Sequence, residues 1–313
     1  MEVLYLPYSN MPFWLLSSFP SVRYAVVTGA NKGIGLEICK QLACKGITVV
    51  LTARDEKRGL EALENLKHSG LSDHLVFHQL DVADPASIAS LADFVKKQFG
   101  KLDILVNNAG IVGVNIDALN ASDISGAQEG WNTIWSKLSA TYEAAEECLK
   151  TNYYGAIRTA EALIPLLQLS DLPRIVNVSS SVVMLKHTTG ERLKGILTGF
   201  TTEEKLNDFL TEYLKDFKEG LLESKGWPTA FSAYTVSKVA MNAHTRILAK
   251  KYPNFCINCV CPGFVKTDIN FNTGKLTVEE GAASPVKLAL LPNGGPSGLF
   301  FNRSEPASFD SDN

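Results

Sequence analysis

The sequence lacks a strong excess of charge of either sign, and this excludes one class of partner. Its 313 residues include 30 lysines and arginines against 33 acidic residues, which gives a net charge of −3. Proteins that bind nucleic acid usually present a basic surface, with an isoelectric point above about 9. The composition therefore predicts that nucleic acid is not a partner.

Long apolar runs are also absent. A helix that spans a membrane needs about 20 consecutive apolar residues, and no run in this sequence approaches that length. Residues 1–22 are rich in aromatics and carry one charge, Glu2. They lack the basic start of a secretory signal and the arginines of a transit peptide. We expect no membrane partner, and we interpret residues 1–22 as a poorly ordered or loosely docked extension, with a targeting role left open.

The six cysteines do not form a disulfide framework. In a chain of this length their spacing fits reduced thiols, which predicts a cytoplasmic protein. Three of them lie in FCINCVCPG (255–263), a segment that could be taken for a metal site. No second Cys or His pair follows at the spacing of a zinc finger. We therefore interpret Cys256, Cys259 and Cys261 as core residues of a buried strand and expect no metal.

Short apolar runs alternate with longer segments of helical periodicity. Apolar residues make up 45% of the chain, enough for a large core. The predicted strands lie at 24–28, 47–52, 75–80, 103–107, 174–179, 256–261 and 298–301, and the predicted helices at 34–45, 55–68, 85–98, 142–168, 232–251 and 278–290. Buried strands that alternate with helices indicate an α/β fold with a parallel sheet covered on both faces. We expect one domain over residues 23–313.

Two long insertions, at about 111–141 and 182–231, interrupt this alternation. Loops between strands and helices usually have 2–6 residues, so insertions of this length indicate lids or binding elements. The second contains an amphipathic helix at about 203–222, for which Thr201 and Glu204 form a predicted capping box. The sequence is compatible with two roles for this helix, as a cover over the substrate and as a helix that packs on the body of the protein.

Glycines follow the first predicted strand in the segment TGANKGIG (28–35). Glycines allow a sharp turn and a close approach to a pyrophosphate, and the next helix begins with free N–H groups. The segment lies between a predicted strand and a predicted helix, which is the context that a dinucleotide-binding turn requires. The predicted cofactor residues of this turn are Gly29, Asn31, Lys32, Gly33, Ile34 and Gly35.

The end of the second strand indicates which dinucleotide binds. NAD enzymes usually place an acidic residue there to hold the ribose 2′-hydroxyl, whereas this chain has Ala53 followed by Arg54. With Lys32 in the glycine turn, two cations suit a 2′-phosphate. The predicted cofactor is therefore NADPH/NADP⁺. We interpret Asp55 as the N-cap of the next helix; an NAD-type role for it is the alternative.

Tyr234 and Lys238 lie four residues apart on the predicted helix 232–251 and therefore share a face. A free phenol has a pKa near 10. An ammonium at about 4 Å would favour the phenolate by up to about 4 kcal/mol, which would bring the pKa of Tyr234 near working pH. An ordinary surface pair is the alternative. Because Ser180 ends the fifth strand, where ligands of such sheets bind, we predict a catalytic pair.

These motifs together resemble the short-chain dehydrogenase/reductase family. They occur in the family's order from Arg23 onward and are highly specific as a set. The matching segments are TGANKGIG (28–35), LDV (80–82), NNAG (107–110), TNYYG (151–155), NVSS (177–180), YTVSK (234–238) and CPGFVKT (261–267). The long insertion before YTVSK resembles the monomeric plant branch, which contains menthone (neomenthol-forming) and salutaridine reductases.

The resemblance implies a Rossmann-type doubly wound parallel seven-stranded sheet with helical lid insertions, and it implies roles for four polar side chains. Tyr234 would donate a proton to the carbonyl oxygen, and Lys238 would lower the pKa of that tyrosine and hold the nicotinamide ribose. Ser180 would hydrogen-bond the substrate oxygen. Asn152 would keep a water that links the lysine to solvent.

The same resemblance implies the remaining cofactor contacts. Arg54 and Lys32 would hold the 2′-phosphate. The contacts with adenine, adenosine ribose, nicotinamide amide and phosphates would come from Asp81, Val82, Asn108, Val265 and Thr267. In oligomeric members the helices that carry Asn152 and Tyr234 pack against a partner subunit, and the insertion would cover this face and leave a monomer.

The class of substrate is predicted from the residues that follow Ser180. Family members often have a glycine there, whereas this chain has SSSVVMLKH (179–187), so Met184 and Leu185 would line the pocket. Ser179 or Ser181 could replace Ser180, although strand alternation and the family pattern favour Ser180. We expect reduction of a hydrophobic, menthone-like ketone or aldehyde. The alternative substrates are an alkaloid ketone and a broad range of aldehydes. Two alternative functions are reduction of a C=C bond and binding of NADP(H) without turnover, and the intact tyrosine and lysine argue against both.

Overall fold

The computed structural model describes residues 22–114, 140–181 and 202–307. Within these ranges eight strands form one sheet in the order β3-β2-β1-β4-β5-β6-β7-β8. The strands are β1 Tyr24–Val27, β2 Thr48–Ala53, β3 Leu75–Gln79, β4 Ile104–Asn107, β5 Arg174–Val178, β6 Cys256–Cys261, β7 Phe300–Asn302 and β8 Glu305–Ala307. The predicted parallel strands are confirmed, but the predicted number is wrong, because β8 adds an antiparallel edge to β7. Its three residues include Pro306, which is tolerated at a sheet edge.

Helices connect the strands near the predicted positions. They are α1 Gly33–Ala43, α2 Glu56–Leu66, α3 Pro85–Phe99, α4 Tyr142–Leu149, α5 Ala156–Leu167, α6 Glu203–Lys218, α7 Ser232–Lys251 and α8 Val278–Ala289. The segment Lys150–Gly155 between α4 and α5 is a π-helix, so the predicted helix 142–168 is continuous but contains one wide turn.

Side-chain caps fix the starts of several helices. Asp55 accepts a hydrogen bond from the Arg58 N–H and caps α2, and Thr277 and Glu280 form a capping box at the start of α8. The predicted cap of α6 is wrong by one residue. Thr202, not Thr201, accepts the bond from the backbone of Lys205. Two adjacent threonines precede the acidic start of this helix, and the sequence pattern does not separate them.

Both faces of the sheet are covered, because successive strand residues point to opposite sides. In β4, Ile104 and Val106 join an apolar cluster with α1, α2 and α8. Leu105, between them, joins a second cluster with α3 and α5. The carboxyl ends of the parallel strands therefore meet at one edge, flanked by helices on both sides.

Helix α6, from the second insertion, packs on the body of the protein. Its residues Leu206, Leu210 and Tyr213 are fully buried in an apolar cluster with α4 and α7. The Tyr213 hydroxyl also lies 3.0 Å from Ser232 Oγ, at the first residue of α7. The predicted packing of this helix is confirmed.

Several sequence-based expectations fall partly or wholly outside the described residues. Residues 1–21, 115–139 and 182–201 contain nearly all of the N-terminal extension and much of both insertions. The domain boundaries therefore stay predictions. Within the described ranges, no helix has the length and hydropathy of a membrane span.

The three cysteines of FCINCVCPG all lie in β6 and are buried, as their apolar surroundings predict. Cys259 Sγ lies 2.9 Å from Thr245 Oγ1, and Cys256 Sγ lies 3.6 Å from the Gly295 carbonyl oxygen. All six cysteines of the chain are free thiols. Cys256, Cys259 and Cys261 thus fill space inside the sheet.

Asp216 of α6 is a fully buried carboxylate that holds the segment after the helix. It accepts hydrogen bonds from Trp227 Nε1 at 2.9 Å and from Lys225 Nζ at 2.6 Å. Asp216→Ala is expected to lower the free energy of unfolding by about 1–3 kcal/mol, because the buried indole N–H loses its partner. Urea denaturation followed by circular dichroism measures this loss. Asp208→Ala, an exposed position on the same helix, is the control and should change stability by less than about 0.5 kcal/mol.

Candidate active site

Tyr234 and Ser180 meet at the carboxyl end of β5. Tyr234 lies in the first turn of α7, after Phe231, which has a left-handed backbone (φ 51°), and Ser180 follows β5 by two residues. Their side chains are hydrogen-bonded to each other. The structure therefore brings together two hydroxyl groups that lie 54 residues apart, as the sequence predicted.

The pKa of Tyr234 differs from the sequence-based expectation. Burial raises it above the usual value, and the hydrogen bond from Ser180 offsets only part of this rise. Lys238 Nζ lies 5.6 Å from the centroid of the tyrosine ring, so it does not dominate the shift. The prediction of a pKa near working pH considered the ammonium and neglected desolvation of the phenolate; the buried phenol keeps its proton at neutral pH.

Lys238 is itself buried, with only 4% of its surface exposed. Its Nζ donates a hydrogen bond to the Val178 carbonyl oxygen at 2.8 Å. Burial lowers the pKa of the ammonium to about 8. The loop after β4 passes close by, since a Cβ at Gly110 would lie 3.6 Å from Nζ and 3.3 Å from Asn152 Oδ1. Glycine at this position leaves room for the lysine.

Asn152 lies in the π-helical turn and pairs with the backbone of the loop after β4. Its Oδ1 accepts a hydrogen bond from the Ile111 N–H, and its Nδ2 donates one to the Ile111 carbonyl, both at 2.8 Å. Turns of this kind often occur at functional sites, where they redirect one side chain. Asn152 thus fixes the position of the loop beside Lys238.

Ser237 is a site residue that the sequence analysis left without a role. Its hydroxyl donates to the Tyr234 carbonyl at 2.7 Å and accepts a hydrogen bond from Asn152 Nδ2 at 3.0 Å. It therefore joins α7 to the π-helical turn. The signal was present in YTVSK (234–238), where a serine lies three residues after the tyrosine on an apolar helix.

The glycine turn has the shape that a phosphate-binding turn requires. Gly29 has φ +62°, and a Cβ there would lie 2.8 Å from Ala109 Cα. A Cβ at Gly35 would lie 2.4 Å from Asn108 Nδ2, so neither position accepts a side chain. Helix α1 begins directly after Lys32, and no side chain caps it. Its first N–H groups are therefore available to an anion such as a diphosphate.

The remaining predicted cofactor residues surround this turn or support it. Asn108 Nδ2 donates to the carbonyls of Thr28 and Gly29, each at 3.0 Å, so its amide fastens the turn. Gly33 lies against the loop after β6, where a Cβ would be 3.3 Å from Thr267 Cγ2. Asn31 and Ile34 are partly buried in the turn itself.

Three further predicted positions lie on the neighbouring loops. Asp81 accepts a hydrogen bond from the Ala83 N–H at 2.9 Å, and Val82 is buried against Gly155, where a Cβ would lie 2.9 Å from Val82 Cγ2. The Val265 carbonyl accepts from Asn270 Nδ2 at 2.7 Å. Asp81 and Val82 follow β3 and Val265 follows β6, so these residues lie beyond the carboxyl ends of parallel strands, at the edge of the sheet where the glycine turn follows β1.

The two predicted phosphate-binding cations are paired with carboxylates. Lys32 Nζ lies 2.7 Å from Asp268 Oδ2, and Arg54 lies 3.9 Å from Glu147 Oε1. The Lys32 ammonium lowers the pKa of the Asp268 carboxyl. Asp55 accepts from the Arg58 N–H at 2.9 Å, as predicted for an N-cap, which places its carboxylate at the start of α2.

The expected substrate residues Met184 and Leu185 lie outside the described residues. Of the three serines in the run, Ser180 is the one whose side chain bonds Tyr234. Ser179 is buried, and among the described residues its Oγ has no hydrogen-bond partner. The geometry therefore favours Ser180 over Ser179 as the partner of the tyrosine.

Comparison with known proteins gives concordant matches. The family model described as short chain dehydrogenase matches residues 23–190. The chain is 60% identical to (+)-neomenthol dehydrogenase of Arabidopsis thaliana over 293 residues, which cover 92% of this chain and 98% of the relative. It is 39% identical to carbonyl reductase [NADPH] 1 of Rattus norvegicus, over 88% of this chain and 94% of that protein. The solved structure of salutaridine reductase from Papaver somniferum matches with a TM-score of 0.82 and 52% identity, over 90% of this chain and 99% of that one.

Proposed function

Because the chain belongs to the short-chain dehydrogenase/reductase family, we propose that it reduces a hydrophobic ketone or aldehyde to the alcohol with NADPH. The observation that carries this proposal is the hydrogen bond between Ser180 and Tyr234 beside the buried Lys238. The chain is an NADP-dependent oxidoreductase, and its relative named carbonyl reductase [NADPH] 1 supports this cofactor.

In this proposal the hydroxyl groups of Ser180 and Tyr234 bind the substrate oxygen, and Tyr234 protonates it. A carbonyl oxygen beside Ser180 and Tyr234 can accept hydrogen bonds from both, which stabilises the negative charge that develops on it. NADPH, when bound, supplies the hydride that adds to the carbonyl carbon. Because burial raises its pKa, the phenol of Tyr234 is protonated before the reaction and carries the proton that the negative substrate oxygen takes up.

Lys238 compensates for the charge left on the tyrosine. With a pKa of about 8, the ammonium is mostly protonated at pH 7 and stabilises the phenolate that remains after proton transfer. Its bond to the Val178 carbonyl fixes its position. Asn152 holds the neighbouring loop through Ile111, and its proposed water link from the lysine to solvent stays a prediction.

The cofactor assignment depends on the second strand and the glycine turn. Ala53 and Arg54 stand where NAD enzymes have an acidic residue, and Lys32 lies in the glycine turn after the neighbouring strand β1. Asp55, the alternative ribose ligand, caps α2. In this proposal Lys32 and Arg54 hold the 2′-phosphate, and the uncapped N-terminus of α1 holds the diphosphate.

The names of relatives support a hydrophobic substrate. Relatives named (+)-neomenthol dehydrogenase and salutaridine reductase share more than half of their residues with this chain. Burying an apolar ketone contributes roughly 25 cal/mol per Å² of apolar surface. We therefore propose a menthone-like monoterpenoid carbonyl, and a salutaridine-type alkaloid ketone is the second candidate.

Turnover of candidate substrates tests this function directly. NADPH absorbance should fall with menthone, and more slowly with a charged keto acid or a sugar.

Tyr234→Phe should lower turnover at least a hundredfold while the Kd of NADPH changes less than about twofold, because the ring still packs but donates no proton. Retained ketone reduction by Tyr234→Phe would contradict the role of the tyrosine. Preference of the parent enzyme for small polar carbonyls would contradict the substrate class.

Ser237→Ala should lower kcat by roughly tenfold and leave the KM for NADPH nearly unchanged. The variant removes the hydroxyl that joins Asn152 to the Tyr234 backbone, and small misplacements of catalytic groups reduce turnover. Ser297→Ala is the matched control, because its hydroxyl likewise donates to a carbonyl, that of Phe255, and accepts an N–H bond, from Ile257, but at the start of β6 and away from the site. Equal losses of kcat in the two variants would show that Ser237 acts only on stability.

The protein should be a monomer in solution. Helix α6 buries its apolar residues against α7 and α4, and these elements adjoin the face that oligomeric family members use for a partner subunit. Light scattering at micromolar concentration should give a mass near 34.1 kDa. A mass near twice this value would show that α6 leaves the interface open.

A further inference from the structure

Both cations assigned to the 2′-phosphate lie beside acidic residues from other elements, Lys32 at hydrogen-bond distance and Arg54 at the distance of a loose ion pair. Asp268, which follows β6, lies 2.7 Å from Lys32, and Glu147 of α4 lies 3.9 Å from Arg54. All four side chains are more than half exposed. The first contact joins the glycine turn to the loop after β6, and the second joins the end of β2 to α4.

We propose that Asp268 and Glu147 are specificity-determining residues that compete with the 2′-phosphate for Lys32 and Arg54. This inference rests on the proposed function, which assigns the two cations to that phosphate. The acids then set how much more tightly the protein binds a 2′-phosphorylated nucleotide than one with a free 2′-hydroxyl.

The competition follows from the chemistry of the groups. Carboxylate and phosphate oxygens accept the same charge-assisted hydrogen bonds from ammonium and guanidinium groups. A phosphate that binds Lys32 or Arg54 must therefore displace the carboxylate or share the cation with it. In either case a second anion stays nearby and repels the phosphate. A nucleotide without the 2′-phosphate requires no such exchange.

The pairing is selective along the chain. Glu143 lies one helical turn before Glu147 on α4 and is exposed. The Arg54 ion pair is formed with Glu147. Asp55, next to Arg54 in sequence, caps α2 through the Arg58 backbone. Glu143 therefore provides a control with the same change in net charge on the same helix.

Direct binding of 2′,5′-ADP and 5′-AMP, measured by titration calorimetry at low salt, tests the competition. Glu147→Gln and Asp268→Asn should each bind 2′,5′-ADP about two- to fivefold more tightly than the parent, the range that exposed ion pairs support. Their affinity for 5′-AMP should stay within about 1.5-fold of the parent. Glu143→Gln should change neither affinity by more than that factor.

Three results would overturn the inference. Weaker binding of 2′,5′-ADP by Glu147→Gln and Asp268→Asn would show that the acids orient the cations. Unchanged binding would show that they have no effect. An equal gain in Glu143→Gln would show that only the overall charge matters.

Arg54→Ala separates this inference from the proposed function. It should weaken 2′,5′-ADP binding about tenfold or more, and the double variant with Glu147→Gln should lose the gain of the single variant. If Arg54→Ala and Lys32→Ala both leave the affinity for 2′,5′-ADP unchanged, the proposed phosphate site itself is wrong. If they weaken it while the acid variants have no effect, only the competition is wrong.

Discussion

Burial of the Lys238 ammonium is the constraint on which the rest of the site depends. An amino group in an apolar helix loses solvation, which is why its pKa falls to about 8. It is held by the Val178 carbonyl at the end of β5, so it needs the strand and α7 in a fixed relation. Gly110 and Asn152 complete its surroundings, since a Cβ at position 110 would lie 3.6 Å from Lys238 Nζ and 3.3 Å from Asn152 Oδ1. Sheet, helix and loop are thus joined at one charged group.

The glycine turn is fixed by a comparable constraint, a set of hydrogen bonds from one side chain. Asn108 bonds two carbonyls of the turn, and the loop that contains Asn108 continues to Ile111, which Asn152 holds. One loop after β4 therefore contacts both the turn expected to bind phosphate and the surroundings of Lys238. A change in this loop would disturb the glycine turn and the surroundings of Lys238 together, because the NNAG segment (107–110) connects them.

Most of the fold could be predicted from the sequence, because buried parallel strands and amphipathic helices leave strong periodic patterns. The predicted site pairs also meet, since strand ends of a parallel sheet converge at one edge. The misses have physical causes. Strand β8 is too short to show a pattern, and the π-helical turn depends on packing that periodicity does not record. The sign of the Tyr234 pKa shift depends on desolvation, which appears only when the surroundings of the phenol are known.

Helix α6 supports the start of the helix that carries Tyr234. Its apolar residues cover α4 and α7, and Tyr213 bonds Ser232 at the start of the helix that carries Tyr234. Phe231, just before it, has a left-handed backbone that is unfavourable for a bulky residue, so this start needs support from its surroundings. The first turn of α7 is thus positioned by the same insertion that follows Ser180 in sequence.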